Sequence, residues 1–118
     1  MALGMNRIST HILDTTLGKP AKNVTVRLER QEAGGEWVPL KSSRTDGEGR
    51  CGQLLPDNAE LRAGFYRLLF DTAGYHLCQK IEGLYPVVEI NFQVREGESH
   101  FHLPLLLSPN GYTTYRGS

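Results

Sequence analysis

Apolar and polar residues alternate with a period of two through most of this chain, a pattern typical of β-strands that bury one face. In NVTVRLER, for example, Val24, Val26 and Leu28 share one face and polar residues occupy the other. Similar alternation occurs in ISTHILD, FYRLLFD, VVEINFQV and HFHLPLLL; EWVPLKSSR, where Pro39 marks an edge or a bulge, and GYTTYRG also suit strands. Turns rich in Gly, Pro, Asn and Asp separate these segments. The pattern predicts seven or eight short strands.

One helix is predicted, in the segment TAGYHLCQK that follows Asp71. The Asp71 side chain can cap it, and Leu77 and Ile81 lie four residues apart on one side. His76 is then expected to be solvated. Many strands and one helix predict an all-β sandwich of two sheets. With no linker, repeat or low-complexity segment, we expect a single domain over residues 1–118.

Composition and charge narrow the possible partners. The chain of 118 residues has 13 Lys and Arg and 13 Asp and Glu, so its formal charge is zero. Without a basic excess, neither nucleic acid nor an anionic membrane is an expected partner. A small domain of zero net charge is prone to self-association, and an oligomer is plausible.

The cysteines and the N-terminal segment bear on localisation. Cys51 and Cys78 form no CxxC pair and are too few for a disulfide framework, which favours free thiols in a reducing compartment. The segment MALGMNRISTHILD has no apolar run long enough for a signal peptide, and no stretch is long enough to span a bilayer. We therefore expect a cytoplasmic protein.

The strand HFHLPLLL has two unlike faces. One face is apolar and suits the core: Phe101, Leu103, Leu105 and Leu107. The other face mixes polar and apolar groups: His100, His102, Pro104 and Leu106. A mixed surface of this kind is what a ligand cleft or a wet interface uses. In the first strand, His11 similarly lies opposite Thr10 and Ile12.

The histidines allow three interpretations on sequence alone. His11 and His102 could form an acid–base pair, since the ordinary pKa of histidine lies near neutrality. His11, His100 and His102 could instead bind a metal ion. Alternatively, they are unrelated surface residues.

Other candidate residues also have structural alternatives. Arg50 follows the turn TDGEG, and Arg116 lies near the end of the sequence. The guanidinium group of each suits an oxyanion or a flat polar heterocycle, or is simply solvated. Tyr115 can stack and donate a hydrogen bond, or pack. Cys51 is expected to be a buried structural thiol. The chain lacks GxSxG, phosphate-loop and dinucleotide-binding motifs.

Several motifs together resemble the 5-hydroxyisourate hydrolases, the enzyme branch of the transthyretin-like family, over nearly the whole chain. STHILDTTLGKPAKNVTVRL resembles the family's opening, with the THxLD histidine at His11 and G-x-P-A at 18–21. TDGEGRCGQL places the family's arginine at Arg50, and GFYRLLFDT and LYPVVEINF resemble two further runs. HFHLPLLLSPNGYTTYRGS resembles the highly specific C-terminal tail, although Asn110 stands where many relatives have an aromatic residue.

The resemblance implies a fold, an activity and an assembly. The fold is a prealbumin-like sandwich of two four-stranded sheets with one short helix. The reaction is hydrolysis of 5-hydroxyisourate to 2-oxo-4-hydroxy-4-carboxy-5-ureidoimidazoline in urate catabolism, with no metal or organic cofactor. The assembly is a homotetramer, a dimer of dimers, with active sites between dimers.

The resemblance also implies a set of site residues. The implied catalytic residues are His11, Arg50, His102 and Ser118. The implied substrate-binding residues are His11, Arg50, Tyr115 and Arg116. The alternative is a non-catalytic carrier of a small ligand, like the hormone-carrying branch of the same fold, because fold alone does not determine activity. A carrier has no need for this set of His, Arg and YRGS residues.

Overall fold

The computed structural model describes residues 6–118, which form ten strands and one short helix. The strands are β1 (Arg7–Asp14), β2 (Lys19–Pro20), β3 (Thr25–Gln31), β4 (Trp37–Arg44), β5 (Arg50–Cys51), β6 (Gly64–Phe70), β7 (Val88–Val94), β8 (His100–His102), β9 (Leu105–Ser108) and β10 (Gly111–Thr114). The helix, α1 (Thr72–Cys78), lies between β6 and β7.

One sheet has four antiparallel strands in the order β4-β3-β6-β7. Its pairing is regular except between Leu28 and Glu29 of β3, which face Lys41 and Pro39 of β4 and leave Leu40 out of register. This irregularity lies on an edge strand and confirms the prediction that Pro39 marks an edge or bulge, since proline donates no ladder hydrogen bond.

The second sheet is built around β1. Four strands follow in the order β10-β9-β1-β2, and the short strands β5 and β8 also pair with β1. Both β8 and β9 run parallel to β1, whereas β2 and β5 run antiparallel to it. The two sheets and one short helix confirm the predicted sandwich. With β5 and β8 this sheet has six strands where four were expected, and these two strands are only two and three residues long.

The predicted strand HFHLPLLL is interrupted between β8 and β9, at Leu103 and Pro104. The backbone N–H of Leu103 still donates to Ser9 O at 2.9 Å, but the next residue, Pro104, has no N–H to donate. At this interruption the Thr10 hydroxyl, instead of a backbone N–H, donates to Leu103 O at 2.6 Å. Two short parallel ladders along β1 therefore replace one long strand.

The core consists of the faces that the alternation predicts. Each inward face is buried, and its members include Ile8, Ile12, Val24, Val26, Leu28, Tyr66, Leu68, Phe70, Val88, Ile90, Val94, Phe101, Leu103, Leu105 and Leu107. Burial of this apolar surface between the sheets is the main favourable term for the fold. Cys51 is buried and Cys78 exposed, and both thiols are free, as predicted.

The helix prediction is right in its start and wrong in its length and in the exposure of His76. The Asp71 side chain accepts from Gly74 N at 3.0 Å, as an N-cap does. His76, expected to be solvated, is only 2% exposed, and Leu77, expected to lie on one side with Ile81, is 74% exposed. The reason is that α1 has only seven residues and ends before Ile81, so the Thr72/His76 side packs inward.

No helix within residues 6–118 is long and apolar enough to cross a membrane.

The chain leaves α1 through a left-handed residue. Lys80 has a φ of 59°, and its N–H donates to Leu77 O, while Ile81 N donates to His76 O. These two bonds form a Schellman motif, in which glycine is the favoured residue at the left-handed position. Lys80 therefore adopts a backbone conformation that costs energy for a residue with a Cβ.

Candidate functional site

A cleft of ≈ 630 Å³ opens beside β1, where β5, β8 and the end of the chain meet. Its lining carries three of the predicted site residues, Arg50, His102 and Ser118. The other lining residues are Arg7, Ser9, Thr10, Cys51, Gly52, His100, Phe101 and Gly117. Segments far apart in sequence thus contribute to one surface.

Strand pairing explains why these residues meet. The antiparallel pairing of β5 with β1 sets Arg50 opposite His11. The parallel pairing of β8 with β1 sets His102 opposite Ser9. Because Ser9 and His11 are two residues apart on one strand, they share a face of the sheet. The register of β1 therefore determines which polar side chains are close together.

The turn before Arg50 is held by one carboxylate and one glycine. The Asp46 side chain accepts from Glu48 N at 2.9 Å and from Arg50 N at 3.0 Å, and these bonds, aided by the nearby Arg50 charge, lower the Asp46 pKa. Gly49 has a φ of 78°, and a Cβ there would lie 2.6 Å from Ile12 O. Glycine is required at this position because both the backbone conformation and the space exclude other residues.

His102 is oriented by a residue that the sequence analysis did not single out. Its Nδ1 lies 2.8 Å from the Ser9 hydroxyl oxygen, which directs the opposite ring nitrogen, Nε2, away from Ser9. Burial lowers the pKa of His102, and the nearby charges of Arg50 and His11 lower it further. The ring is therefore neutral at neutral pH and can accept a proton.

The chain end packs directly on His102. Gly117 N donates to His102 O at 2.7 Å, in a single antiparallel bridge. A Cβ at Gly117 would lie only 2.7 Å from His102 Cδ2, so a larger residue could not occupy this position without moving the ring or the tail. This contact brings the terminal residue Ser118 to the cleft.

The Arg116 side chain contacts other protein groups. Its guanidinium donates to Glu98 Oε2 at 3.1 Å and to His100 O at 3.0 Å, and it lies 4.4 Å above the centre of the Phe101 ring. Arg116 is not part of the cleft lining within this protomer. Tyr115, which is 54% exposed, is not part of it either.

His11 lies beside the cleft lining and not in it. Its charge nevertheless lowers the pKa of both His102 and Asp46, which places it within electrostatic range of the cleft. One protomer thus brings together Arg50, His102 and Ser118, with His11 close by. The functional roles of all the site residues, those in the cleft lining as well as His11, Tyr115 and Arg116, remain predictions.

The sequence analysis missed three lining residues that the geometry brings forward: Arg7, Ser9 and Gly117. Ser9 had a usable signal, since it precedes His11 by two residues on the same face of the strand. Gly117 had none, because its contact with His102 depends on how the chain end folds back. Arg7 joins the cleft only through the parallel pairing of β1 with β8, which sets it opposite His100.

The arrangement of side chains in the cleft favours neither metal binding nor thiol chemistry. In the part of the chain from 6 to 118, no three His, Cys, Asp or Glu side chains lie close enough to hold a metal ion, including His11, His100 and His102. Burial raises the pKa of the Cys51 thiol, which keeps it protonated. Cys51 is accordingly the buried thiol that the sequence predicted.

Comparison with known proteins finds relatives of two kinds. The model of the HIUase/Transthyretin family matches residues 8–117. The mouse protein named 5-hydroxyisourate hydrolase is 44% identical, with 100% of both chains covered. The solved structure of Klebsiella pneumoniae 5-hydroxyisourate hydrolase is 38% identical with a TM-score of 0.83, covering 97% of this chain and 100% of that one.

Sea bream transthyretin in complex with thyroxine is also similar in structure. It is 34% identical with a TM-score of 0.86, and the match covers 93% of each chain. The backbone alone thus fits a hydrolase and a transthyretin about equally well. The family model, the relatives found by sequence and the solved structures nevertheless all indicate the same family. This chain belongs to the HIUase/Transthyretin family.

Proposed function

We propose that this protein hydrolyses 5-hydroxyisourate to 2-oxo-4-hydroxy-4-carboxy-5-ureidoimidazoline, a step of urate breakdown. The observation that carries the proposal is the pair of Arg50 and a neutral, oriented His102 on one cleft, together with Ser118. The relatives named 5-hydroxyisourate hydrolase from mouse and Salmonella typhi, 44% and 42% identical over the whole of this chain, support it.

The first chemical step is the activation of water by His102. For this, Nδ1–H donates to the Ser9 hydroxyl oxygen 2.8 Å away, and Nε2 carries the free electron pair. Nε2 then takes a proton from water as the water oxygen attacks the ring carbonyl carbon. A base whose pKa lies below neutrality is present in the correct form at neutral pH, although its basicity is modest.

The second step is the opening of the ring. The tetrahedral intermediate carries negative charge on the former carbonyl oxygen, and the Arg50 guanidinium is the group proposed to stabilise it. The ring C–N bond breaks as the nitrogen receives a proton, which leaves a carboxylate and a ureido group in the product. We assign that proton transfer to the His11/His102 pair, without specifying which histidine delivers it.

The remaining site residues complete the pocket. Ser118 contributes through its hydroxyl, and Tyr115 and Arg116 are assigned to substrate binding and to shaping the pocket. In this proposal the reaction uses no metal or organic cofactor, since Arg50 supplies the positive charge that a metal ion would otherwise provide.

The assembly proposed is a homotetramer, a dimer of dimers, with the sites between dimers. Several large apolar side chains are exposed in one protomer and would be covered by such an assembly: Leu84, Tyr85, Tyr112 and Tyr115. A single-domain chain and a cytoplasmic location belong to the same proposal, and the two free thiols are consistent with the proposed location.

A small-ligand carrier is the second candidate, because sea bream transthyretin has a closely similar fold. The cleft argues against it. Arginine and histidine groups line the cleft, and a carrier for an apolar ligand gains nothing from a neutral, oriented base beside a guanidinium. Hydrolysis of a polar ring is a better match to these groups.

A coupled ultraviolet assay tests the proposal. Urate oxidase generates 5-hydroxyisourate from urate, and its decay is followed with and without this protein, in the presence and absence of a chelator. We expect fast decay that the chelator leaves unchanged, and a loss of about 10²–10⁴ in kcat for His102→Asn in a folded protein. Decay at the spontaneous rate would overturn the proposal in favour of a carrier, and full activity of His102→Asn would overturn the assignment of the base.

A further inference from the structure

The end of this chain is held in place by few backbone contacts. After β10 ends at Thr114, the tail makes one isolated bridge, between His102 and Gly117. A segment with so few backbone hydrogen bonds frays unless side-chain contacts fix it. Ser118 nevertheless reaches the cleft, and Gly117 packs on the His102 ring. An additional anchor is therefore needed close to Gly117.

We infer that Glu98 and Arg116 form a clasp that positions the tail on His102, and that Glu98 is a positioning residue for the reaction. This inference rests on the proposed function. The clasp consists of the ion pair from Arg116 to Glu98 Oε2 at 3.1 Å and the hydrogen bond from Arg116 to His100 O at 3.0 Å. Together these bonds tie the residue before Gly117 to the turn at 95–98 and to the first residue of β8 after it.

The turn that carries Glu98 is itself rigid. Glu98 N donates to Arg95 O at 3.1 Å, and Arg95 N donates to Glu98 Oε1 at 2.9 Å. Gly97, with a φ of 84°, allows the chain to reverse. One carboxylate oxygen is thus used to close the turn, and the other is presented to Arg116. The hydrogen bond from Arg95 N, and after it the one from Arg116, lower the pKa of Glu98, so the carboxylate is ionised at neutral pH.

The arginine is suited to this task by its shape. A planar guanidinium can donate to a carboxylate and a carbonyl at once while its face rests on an aromatic ring. Arg116 does all three, since it also lies 4.4 Å above the Phe101 ring. Lysine has no planar fork and cannot reproduce this set of contacts. The clasp thus gives Arg116 a role in ordering the tail that is distinct from direct contact with substrate.

Hydrogen exchange at the Gly117 amide measures the clasp without reference to activity. That amide donates to His102 O, so it is protected only while the tail is ordered. We expect Glu98→Ala and Arg116→Lys each to speed Gly117 exchange about three- to tenfold. Glu96→Ala, which removes an exposed carboxylate from the same turn, is the matched control and leaves the exchange rate unchanged. An unchanged exchange rate in Glu98→Ala would overturn the clasp.

Kinetics of the same variants separate positioning from substrate binding. A positioning role predicts that Glu98→Ala lowers kcat about three- to tenfold with little change in KM, and that adding Arg116→Lys produces no further loss of kcat, whatever Arg116→Lys does to KM. Independent, multiplicative effects of the two substitutions on kcat would overturn the inference. Thermal unfolding of each variant shows whether the fold is intact.

The two proposals fail in different ways. If wild-type protein does not accelerate 5-hydroxyisourate decay, the proposed function is wrong, and hydrogen exchange at Gly117 still shows whether the clasp exists. If the wild type is active and Glu98→Ala matches it in both kcat and Gly117 exchange, only the clasp is wrong.

Discussion

Replacement of Gly117 by alanine is the sharpest test of the geometry of the site. The added Cβ would lie 2.7 Å from His102 Cδ2 and 3.4 Å from both His102 O and Pro104 Cγ. Ordinary carbon–carbon contacts are about 3.5–4.0 Å, so the ring or the tail must move by about 1 Å. Gly117 has no positive φ, so the backbone itself accommodates alanine and the effect is purely one of contact.

The expected cost follows from that displacement. A shift of about 1 Å in a catalytic group lowers the rate on the order of 10²-fold, because the reacting atoms leave their productive geometry. The coupled ultraviolet assay gives kcat and KM, and thermal unfolding gives the melting temperature. We expect kcat for Gly117→Ala to fall about 10²-fold while the melting temperature stays within a few degrees of wild type, since the substitution lies at the chain end.

Gly47→Ala serves as the control for this prediction. Gly47 is exposed, has no positive φ, and a Cβ there would meet nothing within 4 Å. It should retain wild-type kcat. Wild-type kcat in Gly117→Ala as well would refute the reasoning, because the tail would then not pack on the His102 ring in the active protein.

Three further predictions concern the orientation and ionisation of the ring and the end of the helix. Ser9→Ala should lower kcat about tenfold, because the hydrogen bond to His102 is lost. Ser9→Thr keeps the hydroxyl and should retain most of the wild-type kcat. Equal kcat values for the two variants would contradict this. Burial, with the nearby Arg50 and His11 charges, lowers the His102 pKa from 6.5, so the acidic midpoint of the kcat/KM profile should lie below pH 6.5, where the base becomes protonated. A midpoint above 6.5 would contradict this. Lys80→Gly should stabilise the fold by about 1 kcal/mol, measured as a higher denaturant midpoint, because glycine adopts a φ of 59° without strain. Asn58→Gly, at the same φ, should be stabilised less, since asparagine tolerates this region of backbone conformation. Equal stabilisation of the two variants would count against the explanation.

The strands and their buried faces were predictable because each depends on local alternation. Val24, Val26 and Leu28 face the core for the same reason that any period-2 apolar run does. The core face of the C-terminal segment was likewise evident from its leucines. Alternation does not state which strand lies beside which, and the parallel pairing of β8 and β9 with β1 was therefore not predicted.

The site was predictable in part and for a different reason. Arg50, His102 and Ser118 were assigned through family motifs, and the structure gathers these three on one cleft. Ser9 and Gly117 contact His102 across the β1–β8 ladder and through the folded-back tail, and such long-range contacts leave little trace in the local sequence pattern. His76 was misplaced because two candidate sides of a very short helix cannot be distinguished by spacing alone.

The arrangement of strands around β1 has a consequence for local unfolding. β1 pairs with β2, β5, β8 and β9, so it cannot detach without breaking ladders along both of its edges. Ser9 and His11 are thus carried by a segment whose opening should cost nearly as much as global unfolding, whereas Gly117 is held by one isolated backbone bridge and should open at a lower free energy. One half of the site therefore stays fixed under destabilising conditions and the other half is lost first, so gentle heating or dilute denaturant should abolish activity before the sandwich unfolds.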